Sequence, residues 1–382
     1  MLNKKRKVLL ITERRADYSR FKTIINEIKK DKILDYRLVV TGLHLLKSHG
    51  NTKNEIKSDN FKISKEIKNF QDDGKNTTGA GMAKAMGKVF LQLSEYVEKI
   101  KPDIILSGFD IGANFVLTVV GAHLNIPVAH IQGGEVTGSI DESLRHAMSK
   151  FSNYHYVANN DAKKRLVKMG EISKDVHVVG CPSIDALLLE KELNLKKLLK
   201  KFRLNEKKKF LLLIQHPITT EVSRSENQIV KTLKAIRKSS IQTLIILPNN
   251  DSGYLNIVKK IKKSEFRWTK TLTLSEYKTL LKNCSVLVGN SSSGIHEAST
   301  FKIPVVNIGS RQNKRLKPKN VVNVAHDEKQ IFKAIKLVLK KSFKAKISKI
   351  KNPYGNGRSA KKIVNLLKNI DLNRNTQKTI NY

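Results

Sequence analysis

Short apolar runs alternate with amphipathic stretches from one end of the chain to the other. Val8–Ile11, Leu38–Thr41, Ile104–Leu106, Ile126–Ile131, Tyr154–Ala158 and Val176–Val179 read as buried strands. Between the first two, Phe21, Ile24, Ile25 and Ile28 carry the i, i+3, i+4, i+7 stripe of a helix. After a polar loop around Gly50–Thr52, further helices are predicted over about 81–100, 114–124 and 161–169. Gly180-Cys181-Pro182-Ser183 interrupts the series, and a lysine-rich helix over about 186–201 is expected to bridge to the next. A second series has strands Phe210–Ile214, Leu244–Leu247, Val286–Val288 and Val305–Ile308, with helices near 226–238, 254–263, 276–281, 294–300 and 328–339. A last helix covers 357–369.

Strands alternating with helices make a parallel sheet covered on both faces, so the class is α/β. The repeat predicts two Rossmann-like, doubly wound domains facing a cleft: 1–185, a linker helix over 186–205, 206–356, and a C-terminal helix and tail over 357–382. Ligands of such sheets sit beyond the carboxyl ends of the strands.

Composition narrows the function class. Lys+Arg number 73 against 33 Asp+Glu, a formal net charge of +40, which invites a nucleic-acid partner. The lysines are spread over helix after helix, as in Lys196–Lys201, Lys259–Lys263 and Lys336–Lys349, instead of forming one stripe with aromatics. They read as solvated faces, and no specific nucleic-acid partner is expected. No apolar run of about 18 residues exists, and the N-terminal apolar segment is too short for a signal peptide, so neither a membrane partner nor export is expected, and a cytoplasmic location is. Cys181 and Cys284 have no metal or disulfide spacing and read as small buried residues; no metal and no cofactor are expected.

Several strand ends carry polar chemistry. From Ile131 to His146 a strand end, Gly133-Gly134, Glu135, Asp141 and Arg145 occur together. Ser139 with Glu142 forms a capping-box pattern, which puts Asp141 in the first helical turn and Arg145 one turn along the same face. The glycines let the backbone pass close to a ligand; the alternative is an ordinary connection with a surface ion pair. Thr12 to Arg20 places Arg15, Ser19 and Arg20 at a strand-to-helix turn suited to a diphosphate, or else forms a basic loop with Asp17 as its helix-start acid. Gly289-Asn290-Ser291-Ser292-Ser293-Gly294 follows a strand and opens a helix, a stronger phosphate signal, with Glu297 placed for ribose hydroxyls and Arg311 after the next strand. His216 follows Phe210–Ile214, and Asn249 follows Leu244–Leu247, both at ligand-facing ends. Asp110, beyond Ile104–Leu106, is a helix cap or a catalytic carboxylate.

In order, Arg15-Ala16-Asp17-Tyr18-Ser19, Gly50-Asn51-Thr52, Gly133-Gly134-Glu135-Val136, Ile140-Asp141-Glu142, Arg145-His146, Gly180-Cys181-Pro182-Ser183, Gln215-His216-Pro217, Gly289-Asn290-Ser291-Ser292, Arg311-Gln312 and Tyr354-Gly355-Asn356-Gly357 resemble the hydrolysing UDP-N-acetylglucosamine 2-epimerases of sialic and legionaminic acid biosynthesis. The resemblance covers nearly the whole chain and implies a glycosyltransferase-B type fold and a homo-oligomer, dimer or tetramer, acting on a nucleotide sugar. It implies elimination of UDP across C1–C2 to a 2-acetamidoglucal, then hydration to the free manno sugar. Arg15, Ser19, His216, Ser291, Ser292 and Arg311 would face the diphosphate, Glu297 the ribose and Asn249 the nucleotide. The family's acids align with Asp110, Gln132 and Asp141, so glutamine stands at one acid position, and Ile111 stands where an arginine is expected. These departures point to a related UDP- or GDP-linked 2,4-diacetamido sugar, or to a mechanism in which Glu135 or His44 takes part. A non-hydrolysing epimerase and a non-catalytic nucleotide-sugar binder are the alternatives.

Overall fold

The computed structural model describes residues 5–71, 78–109, 112–137, 140–249 and 251–379. The chain forms two compact units, one of Met1–Glu135, Asp141–Ala186 and Tyr354–Tyr382, the other of Val136–Ile140 and Leu187–Pro353.

The first unit is built on strands β1 (Arg6–Thr12), β2 (Leu34–Thr41), β3 (Ile63–Ile67), β4 (Ile104–Gly108), β5 (Val128–Ile131), β6 (Tyr154–Val157) and β7 (Val176–Val178). Their order is β3-β2-β1-β4-β5-β6-β7, and every paired neighbour is parallel. Alternate residues of β1 serve opposite faces. Val8 and Leu10 pack with Phe21, Ile24 and Ile25 of the Arg15–Lys30 helix, whereas Leu9 and Ile11 pack with Val89, Leu93, Val116 and Leu117 of the Gly79–Ile100 and Gly112–His123 helices. This two-sided burial is why the strands read as unbroken apolar runs.

The second unit has β8 (Phe210–Ile214), β9 (Gln242–Ile246), β10 (Arg267–Thr269), β11 (Val286–Gly289), β12 (Val305–Ile308) and β13 (Val321–Val324), ordered β10-β9-β8-β11-β12-β13. Leu211 and Leu213 serve one face, Phe210, Leu212 and Ile214 the other.

The chain ends differ from expectation in two ways. The predicted bridging helix over 186–201 is two helices, Pro182–Leu189 and Leu195–Lys201, and Leu187, Leu198 and Leu199 pack into the second unit's core. Asn194 caps the second helix by accepting from the Lys197 N–H, which stops the first from running through. The C-terminal helix Ser359–Lys368 is part of the first unit: Ile363, Val364 and Leu367 lie in the core beside Phe21 and Ile25. Beyond it the tail runs past the amino ends of the strands. Arg6 donates to the Lys368 and Ile370 carbonyls, Arg374 pairs with Asp175 at 2.8 Å, and Asn153 donates to the Thr376 carbonyl. No helix among the described residues is long and apolar enough to cross a membrane.

Candidate active site

Each sheet has one topological switch point, where chain order reverses across neighbouring strands: between β1 and β4 in the first unit, and between β8 and β11 in the second. There the loops leaving the two carboxyl ends diverge, which opens a crevice. Each switch point is spanned by a fully buried asparagine.

In the first unit β1 and β4 pair only at Val8–Ile104 and Leu9–Ile105. Past that point Asn114 closes the gap, donating to the Ile11 carbonyl at 3.1 Å and accepting from the Gly108 N–H at 3.1 Å. Glu13 joins the same turn, accepting from the Ala113 N–H at 3.2 Å. Asp17 is buried and accepts from Thr12 Oγ1 at 2.8 Å and from the Glu13 and Arg14 N–H groups, so it is the knot of the β1 turn. Burial raises its pKa even so.

His44 is fully buried beside this knot. Its Nε2 lies 3.0 Å from Thr12 Oγ1 and its Nδ1 2.6 Å from Thr52 Oγ1. The Thr12 hydroxyl proton goes to Asp17, so Nε2 carries the imidazole proton and Nδ1 accepts from Thr52. Burial, and then the Arg15 charge, push the imidazole down to about 3. Arg15 itself is held by Glu55 of the Lys53–Ser58 helix, with Nε donating at 2.9 Å. Ser19 donates to the Ala16 carbonyl, and the Arg20 guanidinium lies 4.9 Å from the ring centre of Phe109, which adopts φ 71°. Asp110, Ile111, Ser139 and Asn250 lie outside the described residues, and with them the Ser139 capping box.

One strand further along, β5 delivers the segment from Gln132. Gln132 is buried, adopts φ 61°, donates its backbone N–H to the Tyr156 carbonyl at 2.9 Å, and brings its amide nitrogen 3.5 Å from Glu135 Oε1. Its Oε1 is buried without a hydrogen-bond partner. Glu135 is buried as well, and Arg145, 1% exposed, donates to the Glu135 carbonyl at 2.8 Å. Asp141 is half-buried in the first turn of the Ile140–Phe151 helix.

The glycine pair turns out to make room for the protein's own atoms. A Cβ on Gly134, at φ 75°, would lie 2.5 Å from the Ala162 carbonyl oxygen; one on Gly133 would lie 2.9 Å from His130 Nδ1. Cys181 is nearby and buried, its thiol pushed up to about 11 by burial; Cys284 is likewise pushed to about 12. Both are inert residues of the interior.

In the second unit Asn290 is the hub. Its Oδ1 accepts from the His216 N–H at 2.7 Å, its Nδ2 donates to the His216 carbonyl at 2.9 Å, and its own N–H donates to the Ile214 carbonyl at 3.1 Å. Its carbonyl accepts from Arg311 at 3.3 Å and from Gln312 at 3.0 Å. His216 Nδ1 accepts from the Asn249 N–H at 3.3 Å, which puts the proton of a neutral tautomer on Nε2. Arg311 also faces Asp251 at 3.6 Å, and Gly289, at φ 125°, lets β11 pass where a Cβ would be 2.0 Å from the Ile214 carbonyl oxygen.

Ser291 accepts from the Ser293 hydroxyl at 3.1 Å, and Ser292 precedes a helix that is only Ser293–His296, followed by a 3-10 turn over Ala298–Phe301. The predicted helix over 294–300 is thus a single turn, and little macrodipole is available; the donors of this edge are the serine hydroxyls and Arg311. Glu297 lies beside the buried Tyr277, whose phenol is held far above its ordinary range by burial and then by the Glu297 charge. Sequence reading left Asn114 out of the site and named Asn290 only inside the phosphate motif, without a role of its own, although Asn114 had one signal: a polar residue at the border of an otherwise apolar helix.

The residues so assembled form a donor-rich edge in the second unit and an acid-bearing edge in the first. The profile described as UDP-N-acetylglucosamine 2-epimerase matches residues 26–368. The chain is 36% identical over 96% of its length, and 97% of the relative's, to a UDP-N,N'-diacetylbacillosamine 2-epimerase (hydrolyzing) of Legionella pneumophila. It is 32% identical, over 84% of each chain, to a GDP/UDP-N,N'-diacetylbacillosamine 2-epimerase (hydrolyzing) of Campylobacter jejuni. It is 31% identical, over 86% of each, to a UDP-N-acetylglucosamine 2-epimerase of Neisseria meningitidis. Among solved structures, a Neisseria meningitidis UDP-GlcNAc 2-epimerase bound to UDP-GlcNAc shares the fold with a TM-score of 0.81, 20% identity, and coverage of 95% of this chain and 100% of that one. The chain is therefore an epimerase-type enzyme with two parallel α/β units of the glycosyltransferase-B type, and it belongs to the UDP-N-acetylglucosamine 2-epimerase family.

Proposed function

We propose that the protein is a hydrolysing nucleotide-sugar 2-epimerase that takes a UDP-linked 2-acetamido sugar, a 2,4-diacetamido sugar first among them, to the free manno-configured sugar and UDP. The observation that carries the reading is similarity over 96% of the chain to a relative named as a hydrolysing 2-epimerase of such a diacetamido sugar. The geometry of the two edges supports it.

The C2 proton is not next to a carbonyl, so its removal depends on C1–O cleavage that builds oxocarbenium character at C1. The leaving diphosphate needs fixed positive potential. Arg311, the Nε2–H of His216 and the hydroxyls of Ser291 and Ser292 supply it in the second unit, with Glu297 on the ribose and Asn249 beside the nucleotide. Asp141 and Asp110 work on the sugar. His44, buried and neutral, orders the β1 turn.

Incubation with UDP-N-acetylglucosamine and with a UDP-linked 2,4-diacetamido sugar in heavy water tests the proposal. Free UDP and a manno product deuterated at C2 are expected, faster with the diacetamido sugar. An intact UDP-linked epimer identifies a non-hydrolysing enzyme, and no turnover on a panel of UDP and GDP sugars identifies a binder; either result overturns the proposal.

A further inference from the structure

We infer that the strap of chain beyond the C-terminal helix, seated by Lys378, is a positioning element for Asp141. It fixes the base of the strand and the helix whose far ends carry Gln132 and Asp141. The inference rests on the epimerase reading above and names what holds the acid edge of that reading in place.

The strap follows the amino ends of the first sheet, opposite the edge that bears the acids. Gln377 donates to Asn125 Oδ1 at 2.8 Å, just ahead of β5. Asn153, just ahead of β6, donates to the Thr376 carbonyl at 2.8 Å. Arg374 pairs with Asp175, just ahead of β7, and lies 5.5 Å from the ring centre of Tyr154. Asn153 also ties the strap to β5: its Oδ1 accepts from the Val128 N–H at 3.1 Å, and its own N–H donates to the Val128 carbonyl at 2.9 Å.

Lys378 closes the strap on the Ile140–Phe151 helix. Its Nζ donates to the carbonyl of Ser149, in the last turn, at 3.0 Å, and to that of Ser152, just past the end, at 2.8 Å. The last carbonyls of a helix have no partner within it, and a cation placed on them also meets the negative end of the helix dipole. The same ammonium pairs with Glu171, whose side chain is buried and which pairs in turn with His155 of β6 at 2.8 Å and with Lys150 at 3.3 Å. Lys378 thus fastens the end of this helix to the sheet.

The helix carries that anchorage to the other edge. Asp141 lies in its first turn, Arg145 one turn on donates to the Glu135 carbonyl, and Ser149 a further turn on donates its hydroxyl to the Arg145 carbonyl at 3.0 Å. Twelve residues span about 18 Å. A slide or turn of such a rigid rod at its base moves Asp141 by a comparable amount, and a misplacement of about 1 Å costs on the order of 100-fold in rate. The strap contacts named here all lie in the first unit, whereas His216, Ser291, Ser292 and Arg311 lie in the second. Loosening the strap should therefore slow proton transfer and spare the hold on UDP.

The test compares the full chain with Lys378→Gln, Lys378→Arg and a chain stopped after Leu372, each assayed well below its own melting temperature with the UDP sugar that wild type turns over. The stopped chain should lose about 30-fold in kcat while KM and UDP affinity stay within about twofold. Lys378→Gln should lose about fivefold, and Lys378→Arg, which keeps the cation on the helix end, should recover most of that. The kinetic isotope effect of a sugar deuterated at C2 should grow in the slowed variants, because proton removal has become limiting. A peptide of residues 373–382 added to the stopped chain should restore part of the rate. Lys378→Gln keeps the other strap contacts, so it decides the matter if the stopped chain fails to fold. A kcat within about 1.5-fold of wild type in Lys378→Gln overturns the inference alone. So does a parallel fall of kcat and UDP affinity, because the strap then supports the fold at large and not the acid edge. Absence of UDP release by wild type overturns the epimerase reading and this inference together.

Discussion

The two switch points are built alike and used differently. In each, a fully buried asparagine holds the strand ends: the Asn114 side chain joins Ile11 of β1 to Gly108 of β4, and Asn290, just past β11, bonds to Ile214 and His216 at the end of β8. In the second unit that asparagine also holds candidate ligand groups directly, since Arg311 and Gln312 both donate to its carbonyl. In the first unit Asn114 fastens only strand ends, and the acids arrive one strand over, on a segment with an open acceptor and a left-handed glutamine. The second unit has the satisfied, preorganised hydrogen bonding expected of a binding edge. The first carries local strain and an unmet polar atom, features that concentrate where chemistry is done.

The sharpest way to break this contrast is to remove each asparagine. Asn290→Ala removes the side-chain bonds to the His216 N–H and carbonyl, while the main-chain acceptor for Arg311 and Gln312 stays, and each buried hydrogen bond lost costs about 1–3 kcal/mol. UDP affinity should fall about 100-fold by calorimetry, and the melting temperature should drop by about 10 °C. Asn114→Ala should cost similar stability yet change UDP affinity less than about threefold. Equal losses of affinity in the two variants would show that the units do not divide the work in this way.

Gly134→Ala probes the first edge next. The new methyl would sit 2.5 Å from the Ala162 carbonyl oxygen at φ 75°, so strain and overlap together should cost about 3 kcal/mol. Turnover should fall with stability, while UDP binding should persist below the lowered melting temperature.

Much of this architecture is legible in the chain, and the misses share a cause. The central strands, covered on both faces, announce themselves as apolar runs. The strands that escape notice are β3 with Ile63-Ser64-Lys65-Glu66-Ile67, β10 with Arg267-Trp268-Thr269, and β13 with Val321-Val322-Asn323-Val324, and all are edge strands. An edge strand is short and partly polar, so its pattern merges with loops. The site divides similarly. Motifs contiguous in sequence, such as Gly289–Ser293 or Gly133–Glu135, stand out at once. The tie from Asn290 to His216, or from Asn114 to Ile11, spans distant segments and emerges only when strands are placed side by side. The glycine pair shows the converse: its presence was legible, but packing of Gly134 against the Asn160–Lys168 helix and of Gly133 against His130 and Ser149 explains it better than ligand approach.

A smaller effect concerns acid. His44 has its folded-state pKa depressed from 6.5 to about 3. Protonation therefore favours the unfolded chain: the stability is fully present above about 6.5 and is lost as pH falls from there towards about 3. One proton contributes a slope of about 1.4 kcal/mol per pH unit within that window. Urea unfolding at several pH values should show the slope, and His44→Gln should flatten it by about one proton. An unchanged slope would place the acid sensitivity elsewhere than the β1 turn.

The smallest expected effect lies in the serine run of the second edge. Ser291 Oγ already accepts from the Ser293 hydroxyl at 3.1 Å, so its own proton is left to donate to a phosphate oxygen. A hydrogen bond to a charged acceptor contributes about 1.5–3 kcal/mol at most, and the Arg311 and His216 donors share the same diphosphate. Ser291→Ala should therefore weaken UDP about three- to tenfold and leave uridine binding unchanged, because only the phosphates meet this hydroxyl. Equal weakening of uridine and UDP would move Ser291 from the phosphates to the nucleoside, and the division of labour along this edge would have to be redrawn around Glu297 instead.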